Sequence, residues 1–415
     1  MTARETAIRV LYEVEKNKAY SNIALKKVLG CSNLSTADNA FATELVYGAV
    51  RHKMRLDFII SHYSTQKLKN LSPWILCILY IGVYQILFLD KIPHFAAINE
   101  SVTLAKRYGH AASARFVNAV LRVVAKGGEV KIPSIEHYYS HPKWLVDMLR
   151  EQYPDDYKKH LAANNTPAPI TIRVNTLKIT ADRLCDMLIE KGIHAQADGD
   201  IITISKFGNI VELDEYKKGL FIPQDKGAYL ATLAVAPQPN QLILDVCAAP
   251  GAKTTQLAQL SNDMAEIVAF DIHPHKIELI QKNAQRMGIN SITAIEFDAT
   301  TTNNNYIAKA DRVLADVPGS GLGIIRRKPD IKWLRIPTDI ELIIKTQKLI
   351  LQTSAQYVKQ GGYLVYSTCT VNKHENGDII DDFLSRHPFC KLEERQLLPH
   401  VDQCDGFYYC KMRRE

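Results

Sequence analysis

The stretch Leu244-Asp245-Val246-Cys247-Ala248-Ala249-Pro250-Gly251-Ala252-Lys253-Thr254 reads as a short buried strand running into a loop of small residues. Two later stretches share the form: Leu314-Ala315-Asp316-Val317-Pro318-Gly319-Ser320-Gly321 and Leu364-Val365-Tyr366-Ser367-Thr368-Cys369-Thr370. In an open parallel sheet, ligands bind beyond the carboxyl ends of the strands. A small-residue loop, an acid and a thiol then share one crevice. That combination suggests a cofactor site, a charged group and a nucleophile.

Working outward, strand and helix patterns alternate from Leu242 onward. The strand candidates are Leu242–Val246, Ile267–Phe270, Ile292–Phe297, Arg312–Ala315 and Gly362–Tyr366, with helical patterns at Lys276–Arg286 and Ile340–Val358. This is the signature of a doubly wound α/β domain, expected over 226–415, and Phe407–Met412 reads as its final edge strand. A small α+β unit is expected over 142–225. It rests on the alternation of Ile170, Ile172 and Val174, a short helix around Leu184, Met187 and Leu188, and a strand at Ile201–Ile204. Residues 129–141 lack a period and read as a linker.

Residues 1–128 read as all-helical, with apolar faces at Ala7, Val10, Leu11 and Val14, at Leu56, Ile59 and Ile60, and at Phe116, Val117, Val120, Leu121 and Val124. Gly109 and Gly127-Gly128 are expected helix stops. The run Pro73–Leu89 is shorter than the ~20 apolar residues of a membrane span. It carries Tyr80, Tyr84 and Gln85, so it reads as a buried helix starting at Pro73 behind Ser72. Arg51, Lys53, Arg55, Lys106, Arg107, Arg115, Arg122 and Lys126 punctuate the apolar positions. Either they form a solvated face or they bind phosphates.

The chain has 415 residues, a net charge of +7 and an ordinary soluble composition, 47% hydrophobic and 23% charged. The mild basic bias is compatible with a nucleic-acid partner. The eight cysteines include no Cys-x-x-Cys pair and no zinc spacing, so no metal is expected. Cys31, Cys77, Cys185 and Cys390 read as buried thiols in a reducing compartment. Met1–Glu15 mixes charges through an amphipathic pattern and does not read as a signal peptide. A cytoplasmic monomer without membrane contact is the expectation.

Asp271, Asp298 and Asp316 each follow a successive strand candidate. An acid at the end of the second strand commonly bonds ribose hydroxyls. With no Gly-x-Gly-x-x-Gly present, the set points to a nucleoside cofactor without a large phosphate load.

The string Asp245–Thr254 resembles the S-adenosylmethionine motif of the RNA 5-methylcytosine methyltransferases, and Tyr366–Thr370 is similar to their nucleophile motif. Asp316–Leu322, with Arg326-Arg327-Lys328-Pro329-Asp330-Ile331, resembles their fourth motif. The likeness runs over nearly the whole chain to the bacterial ribosomal RNA small-subunit methyltransferase B (Sun/Fmu) group. Residues 1–128 resemble its NusB-like helical domain, and Asp405-Gly406-Phe407-Tyr408 its closing strand. The resemblance implies methyl transfer from S-adenosyl-L-methionine to C5 of a cytosine in 16S ribosomal RNA. It implies Cys369 as nucleophile and Asp316 as its acidic partner. The cofactor is expected against Cys247, Ala248, Ala249, Pro250, Gly251, Ala252, Lys253, Asp271, Asp298 and Asp316, and RNA against Arg326, Arg327 and Lys328.

One departure stands out. Most of the family has Pro-Cys-Ser where this chain has Pro318-Gly319-Ser320. The resemblance assigns the missing cysteine to product release. A DNA 5-methylcytosine methyltransferase would need its nucleophile at that same position, which argues against that reading. A catalytically weak RNA-binding assembly factor that retains the fold is the alternative that Gly319 supports; Cys369, Asp316 and Asp271 count against it.

Overall fold

The computed structural model describes residues 1–127, 130–205 and 208–415. It divides into two units, Met1–Thr166 with Ile325–Leu334, and Pro167–Ile324 with Arg335–Glu415.

The first unit is helical. Its core is built by the helices Ala3–Asn17, Ser21–Gly30, Thr36–Arg51, Lys53–Tyr63, Pro73–Phe88, His94–Tyr108 and Ala111–Lys126. The Pro73–Phe88 helix is buried on nearly every side, with proline at its first turn. Its polar Gln85 is tolerated because the amide donates to the Ile81 carbonyl (2.8 Å) and accepts from Arg4 (2.8 Å). Ser72 precedes the helix without a side-chain capping bond. Gly127 closes the last long helix with φ 70, a conformation that favours glycine; Gly128 lies outside the described residues.

The expected linker is structured where it is described. Ser134 caps a short helix, Ile135–Tyr139, and Ser140 and His141 are buried. Helices Lys143–Gln152 and Tyr157–Ala163 also group with this unit.

The ten residues Ile325–Leu334 complete the unit. Asp330 accepts from the Ser21 hydroxyl and backbone N–H (3.1 Å). The Lys332 ammonium, 1% exposed, donates to the carbonyls of Arg51 (2.6 Å) and Ser140 (2.8 Å) and to Asn165 (3.2 Å). Trp333 donates from its indole to the Val50 carbonyl (2.8 Å).

The second unit holds two sheets. Strands β1 (Ile170–Val174), β2 (His194–Asp198), β3 (Ile201–Ser205) and β4 (Phe221–Pro223) form an antiparallel sheet in the order β2-β3-β1-β4. The larger sheet uses β5 (Leu242–Asp245), β6 (Glu266–Asp271), β7 (Ile292–Glu296), β8 (Ala310–Asp316), β9 (Val358–Thr368), β10 (Phe389–Leu397) and β11 (Phe407–Arg414) in the order β10-β11-β9-β8-β5-β6-β7. From β9 to β7 all pairings are parallel, while β11 is antiparallel to both β9 and β10.

Two expectations are corrected. Residues 407–412 are not the edge, because β10 pairs outside them. Strand β10 escaped the pattern because Lys391, Glu393, Glu394 and Arg395 are all solvent-exposed and leave no apolar alternation to read. Of the four cysteines expected in the core, only Cys77 is buried. Cys31 lies exposed on the turn after Gly30, and Cys185 and Cys390 are half-buried on an outer helix and the edge strand.

Candidate active site

The order β9-β8-β5 sets the three loops of the opening analysis side by side at the carboxyl edge of the sheet. One cavity of about 520 Å³ is lined by Val246, Cys247 and Ala249 from the first, Asp316–Gly319 from the second and Cys369 from the third. Asp271, Ile272, His273, Lys276 and Phe297–Thr300 form the wall beyond β6 and β7, and Thr346 and Ile350 of the helix Pro337–Tyr357 also line the cavity.

The first loop is fixed from below. The Ala248 N–H donates to the Phe270 carbonyl (2.8 Å), the Ala249 N–H to Asp271 (3.3 Å), and Asn283 to the Pro250 carbonyl (2.9 Å). Gly251 has φ 97, and a Cβ there would sit 3.1 Å from the Ile280 backbone. The positive φ favours glycine, and the tight contact adds to that preference. Ala252 begins the helix Ala252–Leu260, and its carbonyl accepts from Arg173 of β1 (2.6 Å). Arg173 is 0% exposed and also bonds Gln224, Thr255 (3.0 Å) and Gln259 (3.3 Å). Burial pulls its pKa down to about 9.

The acids fall into distinct environments. Asp271 is held by the His273 N–H (3.3 Å) and faces the Lys276 ammonium (3.4 Å). Asp298 accepts from the Thr300 N–H (2.9 Å) and hydroxyl (2.7 Å). Asp316 is gripped by Lys253 on one oxygen (2.6 Å) and by Ser367 on the other (2.8 Å). Burial works against the charge on Lys253, but Asp316, joined by Asp245 and Cys369, holds the ammonium pKa above its usual range. Behind them, Asp245 is fully buried and accepts from Thr254 (2.7 Å). Desolvation lifts its pKa to about 7, against the Thr254 bond and with some help from Asp316.

The two cavity thiols differ. Cys247 is partly open to the cavity but otherwise enclosed by protein. Desolvation, then the charges of Asp245, Asp316 and Asp271, push its pKa well above the ordinary value and keep it neutral. Cys369 follows β9 directly, and its carbonyl accepts from the Gly323 N–H (3.1 Å). It is close enough for its charge to add to the stabilisation of Lys253.

The structure therefore brings Cys247, Ala249, Asp271, Asp298, Asp316 and Cys369 to one cavity, with Ala248 and Pro250–Lys253 forming the supporting loop. Arg326, Arg327 and Lys328 group with the helical unit and are not among the residues that line the cavity. Arg326 is buried at 6% exposure, Arg327 is half-buried and Lys328 is exposed, so Arg326 is not part of an open surface. Among the helical-unit cations, Arg51 is buried, whereas Lys106, Arg107, Arg115, Arg122 and Lys126 are exposed. Sequence reasoning missed Arg173, Gln347 and Glu375. Glu375 had a faint signal in the polar run Thr370–Asn376 directly after the nucleophile loop.

Comparisons with known proteins identify the family. Residues 232–413 match the family model of 16S rRNA methyltransferases RsmB/F, residues 1–126 the NusB family, and residues 141–210 the ferredoxin-like domain of RsmF/B-like methyltransferases. The chain is 35% identical to the probable ribosomal RNA small subunit methyltransferase B of Bacillus subtilis, over 100% of this chain and 99% of that protein. It is 33% identical to the ribosomal RNA small subunit methyltransferase B of Vibrio cholerae, over 100% and 98%. The crystal structure of PH0851 superposes with a TM-score of 0.83 at 24% identity, covering 99% of this chain and 98% of that one. A methyltransferase homologue from Pyrococcus horikoshii gives 0.62 at 25% identity, covering 68% and 97%. Among the described residues, no helix is long and apolar enough to cross a membrane.

Proposed function

We propose, because the chain belongs to the RsmB/F family of 16S ribosomal RNA methyltransferases, that it methylates C5 of a cytosine in small-subunit ribosomal RNA through a covalent bond between Cys369 and C6. Membership of that family makes it an S-adenosylmethionine-dependent rRNA methyltransferase with a NusB-like helical unit. To that we add a cytosine target, the covalent adduct, the individual site residues and a cytoplasmic setting.

The observation that carries the reading is that Cys369 and Asp316 line the same cavity as the small-residue loop and the acids Asp271 and Asp298. The cavity suits a nucleoside cofactor: Asp271 and Asp298 would meet ribose hydroxyls, and the Cys247–Gly251 backbone permits close approach. S-adenosylmethionine, when bound there, supplies an electrophilic methyl group.

The residues of the chain do the rest. C5 of cytosine is a poor nucleophile until a thiolate adds to C6. The Cys369 sulfur donates an electron pair to C6, and the displaced pair makes C5 enamine-like. Asp316, fixed as a carboxylate by Lys253 and Ser367, would accept from the exocyclic amine and from N3 once N3 takes up a proton, and the Lys253 ammonium beside it would offset the negative charge developing on the ring. C5, activated in this way by Cys369, would accept that methyl group, the pair of the broken sulfur–methyl bond staying with the cofactor's sulfur. A base then removes the C5 proton, the C5–C6 double bond re-forms, and the thiolate leaves. The target base must be unstacked first, at a cost of a few kcal/mol.

The test is Cys369→Ala with small-subunit RNA and labelled cofactor. Methyl incorporation should fall by ~10³-fold or more while cofactor binding is retained. Near-normal incorporation by the variant would remove Cys369 from the mechanism. Cofactor binding without incorporation by the wild-type chain would favour the assembly-factor alternative, for which Gly319 is the supporting feature.

A further inference from the structure

Glu375 is 0% exposed and sits behind the catalytic loops rather than in the cavity. Its carboxylate collects five donors from three directions. The Ser320 N–H (2.8 Å) and hydroxyl (2.6 Å) come from the loop that carries Asp316. The Thr370 hydroxyl (3.2 Å) and Asn372 amide (3.1 Å) come from the loop that carries Cys369. Gln347 (3.2 Å) comes from the long helix Pro337–Tyr357 and donates also to the Pro318 carbonyl (3.1 Å). Ser320 and Thr370 hydroxyls touch each other at 2.9 Å. Asn376, the next residue, binds Thr368 (2.6 Å) and the Thr370 carbonyl (3.1 Å).

We propose that Glu375 is the positioning residue that sets the separation of Asp316 and Cys369, by clasping the two loops from behind. The proposal rests on the reading of Cys369 as nucleophile. One carboxylate bridges residues four beyond Asp316 and one beyond Cys369, so any slackening there changes the gap a cytosine must span. Burying a charge is expensive, and a packed apolar side chain would stabilise a loop junction at least as well. What the carboxylate adds is directional: each donor has one direction in which its bond is good. Glu375 is not itself the base for the C5 proton. A carboxylate offers about four lone-pair sites, and the donors around it occupy them all.

The experiment compares Glu375→Gln and Ser320→Ala with the full-length wild type, using RNA that carries 5-fluorocytosine at the target. That base has no proton at C5 to lose, so the Cys369 adduct accumulates and is read on a denaturing gel. Both substitutions should slow adduct formation, Glu375→Gln on the order of 10²-fold and Ser320→Ala less. RNA affinity and S-adenosylmethionine affinity should stay within a factor of two or so of the wild type. Glu375→Asp, which keeps the charge but shortens the reach, should recover only part of the rate. Wild-type adduct rates in Glu375→Gln and Ser320→Ala overturn the clasp. So does a loss that appears only together with lost cofactor binding, because the carboxylate would then merely hold the fold. Absence of adduct in the wild type would instead count against the Cys369 chemistry.

Discussion

Asp245→Asn should change how stability depends on pH. In the native chain, desolvation raises the Asp245 pKa to about 7, whereas in the unfolded chain it returns to about 3.9. Between those values the folded protein holds a proton that the unfolded protein releases. Stability therefore falls as pH rises from about 4 to about 7, then levels off once both states are ionised. The full span corresponds to on the order of 4 kcal/mol, or at most about 1.4 kcal/mol per pH unit. Asparagine keeps the shape and an acceptor for Thr254 but cannot ionise. The variant should gain on the wild type steadily across this window. For a unit of this size that means a melting-temperature difference widening by roughly 3–5 °C per pH unit below about pH 7 and levelling off above it, measured by scanning calorimetry from about pH 5 to about pH 8. Any constant offset from the substitution cancels in the slope. A difference that stays flat across the window would show that Asp245 is ionised in the native chain, and the desolvation argument would be refuted.

Three further outcomes can be measured. At Gly319 a Cβ would meet Glu375 at 3.4 Å and Gln347 at 3.6 Å, ordinary contact distances, so Gly319→Cys should fold; it should turn over faster in steady state and accumulate less RNA adduct, and equal turnover with no adduct in either chain would separate this position from product release. Arg173→Leu removes the bonds to Ala252, Thr255, Gln224 and Gln259, and should cost about 2–4 kcal/mol by denaturant titration while weakening S-adenosylmethionine binding through the Ala252 carbonyl; unchanged binding would detach the small sheet from the cofactor loop. Replacing exposed Arg115 and Arg122 by alanine should lower RNA affinity and flatten the dependence of log K on log salt by about 1.5; an unchanged slope would remove this face from RNA binding.

The strands that build the cavity were legible because β5, β6 and β8 carry short apolar runs that end in Asp, and β9 carries one, Tyr363–Tyr366, that ends in Ser-Thr. Cys369 and Asp316 could be located because each follows such a run within a dense motif. Other features carried no such mark. β10 presents charges to solvent, and on a single chain that pattern is the same as a loop's. Arg173 and Glu375 are buried charges, yet in sequence a buried charge cannot be told from a surface one; only the donors and acceptors gathered around it reveal the difference. Arg326 errs the other way. It belongs to a basic run that reads as surface, but its neighbours Asp330, Lys332 and Trp333 bond into the helical unit and take Arg326 inside with them.

That ten-residue piece also bears on the order in which the molecule can be made. All helices of the first unit except the short Ile331–Leu334 have been synthesised by Thr166, but Ile325–Leu334 follows only after residues 167–324. At ~5–20 residues per second the ribosome takes roughly 8–30 s to cover that interval. For that time Ser21 lacks Asp330, the Val50 carbonyl lacks the Trp333 indole, and the carbonyls of Arg51 and Ser140 lack the Lys332 ammonium. The helical unit, first to leave the ribosome, is thus closed only when the stretch just after the Asp316 loop arrives.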